Sequence, residues 1–294
     1  MFTSCVISVK EKSSDYLSFV KFSHTLFALP FALSMFLLVA YNRSVDLSSL
    51  LWILLALIAA RTSAMSFNRV VDVKFDSLNP RTNKREIPTG KVSMGEAWAI
   101  FVIASALFIV FSAQLGVHCL VLSPLVLAVL CLYSYSKRFT SLSHLILGLA
   151  LALAPGGVWY ALTAQWSLEP VPLMLAVMFW VAGFDILYSC QDFEFDRESG
   201  CFSLPAVVGM PVAFSLSRVF HFVSVLLLIL SGFIFDVGLV YYLGVLGFAG
   251  LLFSQHLIVS PVDLDKIDQA FFTRNAYASI WFFLAVLIDW LVVR

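Results

Sequence analysis

The chain has 294 residues, of which 61% are apolar and 12% are charged, and its formal net charge is zero. Soluble globular proteins carry about 25% charged residues, so this composition excludes an ordinary soluble domain and indicates an integral membrane protein. The five cysteines show no CxxC spacing, which gives no support to a disulfide framework or a zinc site.

Nine apolar runs are long enough to cross the hydrocarbon core of a bilayer, which takes about 20 helical residues. The runs are continuously apolar, whereas the strands of a membrane β-barrel alternate. The predicted fold is therefore all-α and polytopic, a single membrane domain over residues 1–294 with about nine transmembrane helices in one bundle. In chain order the predicted spans are 22–41, 47–67, 94–115, 117–135, 141–163, 171–190, 207–231, 237–256 and 270–292.

Basic residues are concentrated at the N-terminus and in the segments that follow the second, fourth, sixth and eighth predicted spans. The remaining connecting segments and the C-terminus hold only Arg43 and Arg294. By the positive-inside rule, the N-terminus and the basic segments face the cytoplasm. We therefore predict a protein of the cell (inner) membrane with a functional mouth on the cytoplasmic side.

Two polar motifs with the same spacing lie at the ends of the second and sixth predicted spans. The first acidic motif is Asn68, Asp72 and Asp76, and the second acidic motif is Tyr188, Asp192 and Asp196. Residues four apart share a helix face, so the two motifs would aim four aspartates at one cavity. Four carboxylates repel one another unless a cation lies between them, and oxygen ligands without nearby His or Cys favour Mg²⁺. Two such ions would hold a diphosphate.

At these motifs the chain resembles the UbiA superfamily of intramembrane aromatic prenyltransferases, most closely the 4-hydroxybenzoate polyprenyltransferases and the related menaquinone-pathway prenyltransferases. The resemblance implies that the two acidic motifs bind Mg²⁺ and the substrate diphosphate through Asn68, Asp72, Asp76, Asp192 and Asp196. The segments that carry the likeness are 64–72, 79–85, 88–90 and 185–196.

The resemblance also implies roles for residues outside the two motifs. Tyr133 and Lys137 match a YxxxK element of the family, Arg81 and Arg85 match its loop arginines, and Lys21 matches its basic residue at the start of the first helix. We expect the four basic residues to stabilise charge on the departing diphosphate. Tyr133 and Tyr188 join them as candidate catalytic residues. Many family members have Asn-Asp where this chain has Asn68-Arg69, so one carboxylate is missing.

Two further charged residues have the same spacing from the two acidic motifs and would lie deeper in the membrane. Arg61 lies seven residues before Asn68, and Asp185 lies seven residues before Asp192. Both would sit two helical turns, about 10 Å, below the motifs, where isolated charges are costly and are paired or functional. We therefore expect Arg61 and Asp185 to lie near each other at the acceptor end of the cavity.

The predicted function is Mg²⁺-dependent transfer of a polyprenyl group from an isoprenyl diphosphate to an aromatic acceptor, either 4-hydroxybenzoate or a menaquinone precursor, in respiratory quinone biosynthesis. The alternative is a secondary transporter or ion-conducting protein, because intramembrane acids also mark ion pathways. A phosphatidyl-type transferase is disfavoured because its DGxxAR pattern is absent from the sequence. The expected partners are the diphosphate, a small aromatic acceptor and membrane lipid, with no nucleic acid.

Overall fold

A computed structural model describes residue 12 and residues 14–21 and 25–293. This part of the chain is helical apart from turns and one isolated β-bridge between Ser260 and Asp263. A short helical stretch within residues 14–21, called the N-terminal segment, precedes the numbered helices. These are α1 Thr25–Asn42, α2 Ser48–Leu78, α3 Met94–Gln114, α4 Val117–Ser136, α5 Ser143–Thr163, α6 Val171–Ser189, α7 Phe193–Ser199, α8 Leu204–Val208, α9 Met210–Phe235, α10 Leu239–Ile258 and α11 Asn275–Val293.

Within the described residues, eight helical stretches are long and apolar enough to cross a membrane. They correspond to α2 through α6, α9, α10 and α11, where the stretch of α6 also includes the following 3₁₀ turn and α7, and that of α11 includes the preceding π-helical turn. The remaining predicted span falls on α1, whose apolar stretch Phe27–Asn42 is shorter. Residues 22–24 of that predicted span lie outside the described part of the chain. The all-α membrane bundle with about nine helices is therefore confirmed.

Several helix ends differ from the predicted ones. Helix α2 continues to Leu78 rather than ending near residue 67, because its polar last turns are paired with charged neighbours at the end of the bundle. The second acidic motif is not on one continuous α-helix, since a 3₁₀ turn at Cys190–Asp192 separates α6 from α7. The last span begins with a π-helical turn, Gln269–Arg274, before α11.

The segments that connect the helices lie at the two ends of the bundle, and contacts between them show which segments lie at the same end. On the motif side, Asn79 contacts Asp192, and the backbone of Leu204 contacts His144. On the opposite side, Arg43 pairs with Glu169 at 3.4 Å. The segments after α2, α4 and α6 therefore share one face, as the charge pattern predicts.

Helix α6 lies at the centre of the bundle, packed against α5 on one side and α9 on another. Its Trp180 is fully buried and lies against Phe31 of α1 and Phe248 of α10. Gly148 of α5 allows the closest approach, because an added Cβ would lie 2.2 Å from the carbonyl oxygen of Met178 on α6. This packing fixes the end of α6 from which the second acidic motif extends.

Candidate active site

Asp72 lies on α2 and binds two basic side chains from the end of α4. Its carboxylate accepts a bond of 2.8 Å from Lys137 Nζ and one of 3.3 Å from an Arg138 Nη atom. The Asn68 amide donates to the same carboxylate from one turn earlier, at 3.2 Å. Asp72 is only 2% exposed, so these cations offset the electrostatic cost of burying its charge.

Asp76 lies one turn further along α2 and pairs with an arginine from the segment that follows. One Arg85 Nη atom lies 2.7 and 2.8 Å from the two Asp76 oxygens. Thr82 Oγ1 donates to the Asp76 carbonyl at 3.2 Å, which closes the chain back onto the helix end. The segment after α2 is thereby folded over the first acidic motif.

The same segment reaches across to the second acidic motif. Arg81 donates to both carboxylate oxygens of Asp192, with a distance of 2.9 Å from Nε, and its Nη atom donates to Tyr188 Oη at 2.9 Å. The Asn79 amide adds a bond of 2.8 Å to Asp192. Burial opposes the charged form of Arg81, but its bond to Asp192 outweighs this and raises the pKa of the guanidinium. The two acidic motifs therefore meet in one site.

Asp196 is in a different situation from the other three aspartates. It lies on α7, half-buried, and forms no ion pair within 4 Å in the described part of the chain. It lines a small open cavity of about 280 Å³ together with Arg197 and Cys201. Its carboxylate is thus the most available of the four.

The N-terminal segment packs over the segment that follows α2. Phe19 is fully buried against Val70, and Ser18 donates a hydrogen bond to Glu86. Arg69, where many family members have an aspartate, is buried beneath this segment, with its Nε 3.5 Å from the Phe19 carbonyl oxygen. This arginine therefore contacts the backbone of the N-terminal segment.

Lys21 ends the N-terminal segment in a left-handed conformation, with φ at 47°, which is uncommon for residues other than glycine. Burial lowers the pKa of its amine, and the positive charge of Arg69 lowers it further, while Glu86 opposes the shift. Arg81 and Arg85 also contribute positive charge around it. Lys21 thus belongs to a cluster of cations that an anion would stabilise.

An apolar cavity of about 530 Å³ opens beneath these charges. Asn68 and Tyr133 line its motif-side end, and Trp166 and Pro170 line its far end. Ile53 and Asn68, both on α2, border it, so it runs about 22 Å along that helix at 1.5 Å per residue. Its wall is almost entirely aliphatic and aromatic, and the exception at mid-depth is Arg61.

Comparison with known proteins agrees with this geometry. Residues 28–287 match the profile of the UbiA prenyltransferase family. The chain belongs to this family. A 4-hydroxybenzoate octaprenyltransferase from Francisella tularensis subsp. novicida is 28% identical, with 82% of this chain and 85% of the relative covered. The enzyme of the same name from Shewanella woodyi is 27% identical over 97% of this chain and all of the relative.

Solved structures of UbiA homologues share the fold. The apo structure of a homologue from Aeropyrum pernix K1 has a TM-score of 0.83 and 32% identity, with 90% of this chain and 98% of that chain covered. A homologue from Archaeoglobus fulgidus, solved with GPP and Mg²⁺, has a TM-score of 0.66 at 20% identity and covers 93% of this chain and 99% of its own. The predicted UbiA family, and with it the predicted class of prenyl-transferring enzymes, is confirmed.

In this UbiA-family chain Arg61 and Asp185, which the sequence predicts to lie near each other, do not form an ion pair with each other. Asp185 binds His144 at 2.6 Å, the Arg61 Nε has no hydrogen-bond partner, and no ion pair joins the two among the described residues. Their helices have different main neighbours, since α2 packs mainly on α3 and α4, whereas α6 packs mainly on α5 and α9.

Four residues of the UbiA-family site were not singled out as site residues from the sequence. Arg138 could have been suspected because it follows Lys137 directly, and Asn79 because it begins the segment that carries the loop arginines. Arg69 was noted only as a departure from the family pattern. His144 gave no local signal, since its partner Asp185 is distant in sequence.

Proposed function

We propose that this protein transfers a polyprenyl group from an isoprenyl diphosphate to an aromatic acceptor with the help of Mg²⁺, as a step in respiratory quinone biosynthesis. One observation carries the proposal: two acidic motifs, bridged by Arg81 and Asn79, meet basic side chains at the mouth of a long apolar cavity. A charged mouth above an apolar channel matches a ligand with a diphosphate head and a hydrocarbon tail. A solute pathway would instead place its polar groups near the bilayer midplane.

The carboxylates present fit Mg²⁺. In the described part of the chain no three His, Cys, Asp or Glu side chains lie close enough to form a metal cage. Mg²⁺ does not need one, because it normally takes one or two protein carboxylates and completes its shell with phosphate oxygens and water. Asp72, Asp76, Asp192 and Asp196 would hold the ions, which when bound supply positive charge to the leaving diphosphate. The Archaeoglobus fulgidus homologue bound to GPP and Mg²⁺ supports Mg²⁺ as the metal.

The basic side chains bind and polarise the leaving group in this proposal. Lys21, Arg81, Arg85 and Lys137 would donate to phosphate oxygens, and each such preorganised donor is worth about 3 kcal/mol of transition-state stabilisation in comparable sites. Tyr188 stacks on Phe271, with ring centroids 4.0 Å apart, and holds the Arg81 guanidinium by a hydrogen bond. This contact orients Arg81 towards the diphosphate.

The cavity excludes water from the reacting carbon. Ionisation of an allylic diphosphate produces a carbocation that water would quench, so the prenyl group must react in a dry space. Tyr133 lines the motif-side end of the cavity, and its ring face can stabilise the developing positive charge there. The remaining isoprene units would extend along the aliphatic wall towards Trp166.

Arg61 supports a carboxylated acceptor. It places a guanidinium on the wall of an otherwise apolar cavity, and its Nε has no hydrogen-bond partner. A buried cation without a partner is costly, and a planar aromatic carboxylate would satisfy it with paired hydrogen bonds. The relatives named 4-hydroxybenzoate octaprenyltransferase point to the same acceptor, so we favour 4-hydroxybenzoate over a menaquinone precursor.

We also propose that the motif side faces the cytoplasm of the cell (inner) membrane. The diphosphate head group and the acceptor would then enter the site from the cytoplasmic side. Labelling of single cysteines introduced at exposed Arg197 and Trp166 in sealed inverted vesicles checks the orientation.

The activity test uses purified full-length protein in lipid nanodiscs with Mg²⁺, a series of prenyl diphosphates and either 4-hydroxybenzoate or a naphthoate acceptor. We expect a prenylated 4-hydroxybenzoate and pyrophosphate in equal amounts by mass spectrometry, and none in a D72N/D192N variant. Absence of product with every acceptor, together with solute flux in liposomes, would contradict the proposal in favour of a transporter.

A further inference from the structure

His144 and Asp185 form a hydrogen-bonded pair between α5 and α6 that the steps above do not use. His144 is 5% exposed, and its Nδ1 lies 2.6 Å from Asp185 Oδ2. The pair lies on the motif side of the bundle, since Asp185 is seven residues before Asp192 on the same helix path.

The backbone fixes the protonation pattern of the histidine. The Leu204 N–H donates to His144 Nε2 at 3.2 Å. A backbone N–H can only donate, so Nε2 must be the acceptor, and in the neutral ring the hydrogen is on Nδ1. The Nδ1–H therefore donates to Asp185 and holds one of its oxygens, which fixes the orientation of the carboxylate.

Among the described residues, no hydrogen bond is found to the other Asp185 oxygen. The Asp185 side chain is 17% exposed, although its neighbours Phe184, Ile186 and Leu187 are 0 to 2% exposed. Asp185 lies on α6 one helical turn before Tyr188, whose hydroxyl binds Arg81 at the mouth of the large cavity. Asp185 therefore presents a free carboxylate oxygen near the end of the cavity where the prenyl group would be transferred.

We propose that Asp185 is the base that removes the ring proton from the aromatic acceptor, and that His144 is the residue that positions it. The inference rests on the proposed function. The C1–O bond of the prenyl diphosphate breaks, with its electron pair leaving on the diphosphate, and C1 bonds to a ring carbon of the acceptor. That carbon then loses its proton to the free oxygen of Asp185, the C–H electrons restore the aromatic ring, and Asp185 passes the proton to water at the mouth.

Three of the four aspartates of the acidic motifs are less suited to this step for a geometric reason. Both oxygens of Asp72, Asp76 and Asp192 already receive hydrogen bonds from Lys or Arg side chains. Asp185, in contrast, has a hydrogen-bond partner on one oxygen only, so the second remains available for a proton.

The experiment separates the ionisation step from the proton-removal step. Full-length D185N, H144L and H144Q variants in nanodiscs receive Mg²⁺, 4-hydroxybenzoate and a prenyl diphosphate labelled with ¹⁸O at the bridging position. Movement of the label to non-bridging positions reports ionisation and recombination, and mass spectrometry reports product. Retained label movement also shows that a variant is folded.

We expect D185N to retain label movement while product formation falls by about 10² to 10⁴, the usual contribution of a general base. H144L should lose about 10- to 100-fold, as for the loss of a residue that orients a reacting group. H144Q, which can still donate to Asp185, should recover part of that loss. A ring-deuterated acceptor should give a larger isotope effect in H144L than in the wild type, because proton removal becomes slower.

A purely structural pair would behave differently. Equal losses of label movement and product in D185N and H144L, with no change in the deuterium isotope effect, would overturn the proposal, as would wild-type product formation by D185N. If the wild-type protein shows neither label movement nor product, the proposed function itself fails, and the inference fails with it.

Discussion

Arg61 carries the least compensated charge that we find on the cavity wall. Its guanidinium Nε has no hydrogen-bond partner, and neighbouring wall residues such as Ala60 and Ala64 offer no polar group. The cost of burying this charge is recovered only when a ligand supplies an anion.

We therefore predict opposite effects of R61M on catalysis and on stability. The KM for 4-hydroxybenzoate should rise about 10- to 100-fold, the worth of one charge-assisted hydrogen-bonded contact, whereas the KM for its methyl ester should change little. The thermal unfolding midpoint of the ligand-free protein should rise, because an unpaired buried charge is removed. R61K serves as the control, and an equal KM increase for acid and ester would contradict a role in carboxylate recognition.

Lys21 gives a pH prediction whose sign follows from its surroundings. Its folded pKa lies below the ordinary value of 10.5, chiefly through burial and then through the charge of Arg69. The folded protein thus binds this proton less tightly than the unfolded chain, so Lys21 destabilises the fold below its folded pKa. The penalty shrinks as the pH rises through that value towards 10.5.

The folded protein without ligand disfavours the charged Lys21 amine, whereas a bound polyanion favours it. Pyrophosphate binding by the wild type should therefore weaken as the pH rises through the folded pKa of Lys21, in the alkaline range below 10.5. Titration calorimetry of wild type and K21M with pyrophosphate and Mg²⁺ checks this. Identical pH profiles for the two proteins would exclude Lys21 as a ligand.

At the scale of single elements, the sequence predicts the helices well and their ends poorly. Apolar runs mark where a helix can lie in lipid, but they do not report where charged side chains find partners. Helix α2 therefore runs to Leu78, eleven residues beyond the predicted end, as Asp72 and Asp76 are neutralised by Lys137 and Arg85. The 3₁₀ turn at Cys190–Asp192 has no composition signal at all.

The residues of the site, like the helix ends, are only partly predictable from the sequence. Motif spacing and family resemblance predict Asp72, Asp192, Arg81 and Lys137, and the structure brings them together. Partners such as His144 depend on how α5 packs against α6, and no local pattern encodes that packing.

The close contact between α5 and α6 yields a stability prediction. In G148A the new methyl group would meet the Met178 carbonyl oxygen, which is backbone and cannot move aside, so the variant should lose about 1 to 3 kcal/mol. Gly250 is exposed on α10 with nothing within 4 Å of an added Cβ, so G250A should be neutral or stabilising. Thermal unfolding in detergent compares the two, and equal midpoints would show that the helices can separate.

At the scale of the whole molecule, the cavity crosses most of the bundle and should limit prenyl chain length. Ala60 lies on its wall on α2, about 12 Å below Asn68 along the helix. In A60F a ring would obstruct the channel there, so kcat/KM for long polyprenyl diphosphates should fall while that for geranyl diphosphate is retained. Ala106, exposed on α3, provides the control A106F. Equal losses for short and long substrates in A60F would place the tail elsewhere.

The pairing of Asp72, Asp76 and Asp192 with Lys137, Arg85 and Arg81 bears on how the metal arrives. A bare divalent ion meets acids that are already neutralised, so it gains little by entering alone. A magnesium–pyrophosphate complex offers replacements for both sides of these ion pairs. The aspartates would then bind Mg²⁺, and the arginines and the lysine would bind phosphate oxygens. The substrate-free protein should therefore bind free Mg²⁺ only weakly and should bind it together with the prenyl diphosphate. After the prenyl group has been transferred, Mg²⁺ and pyrophosphate should dissociate together.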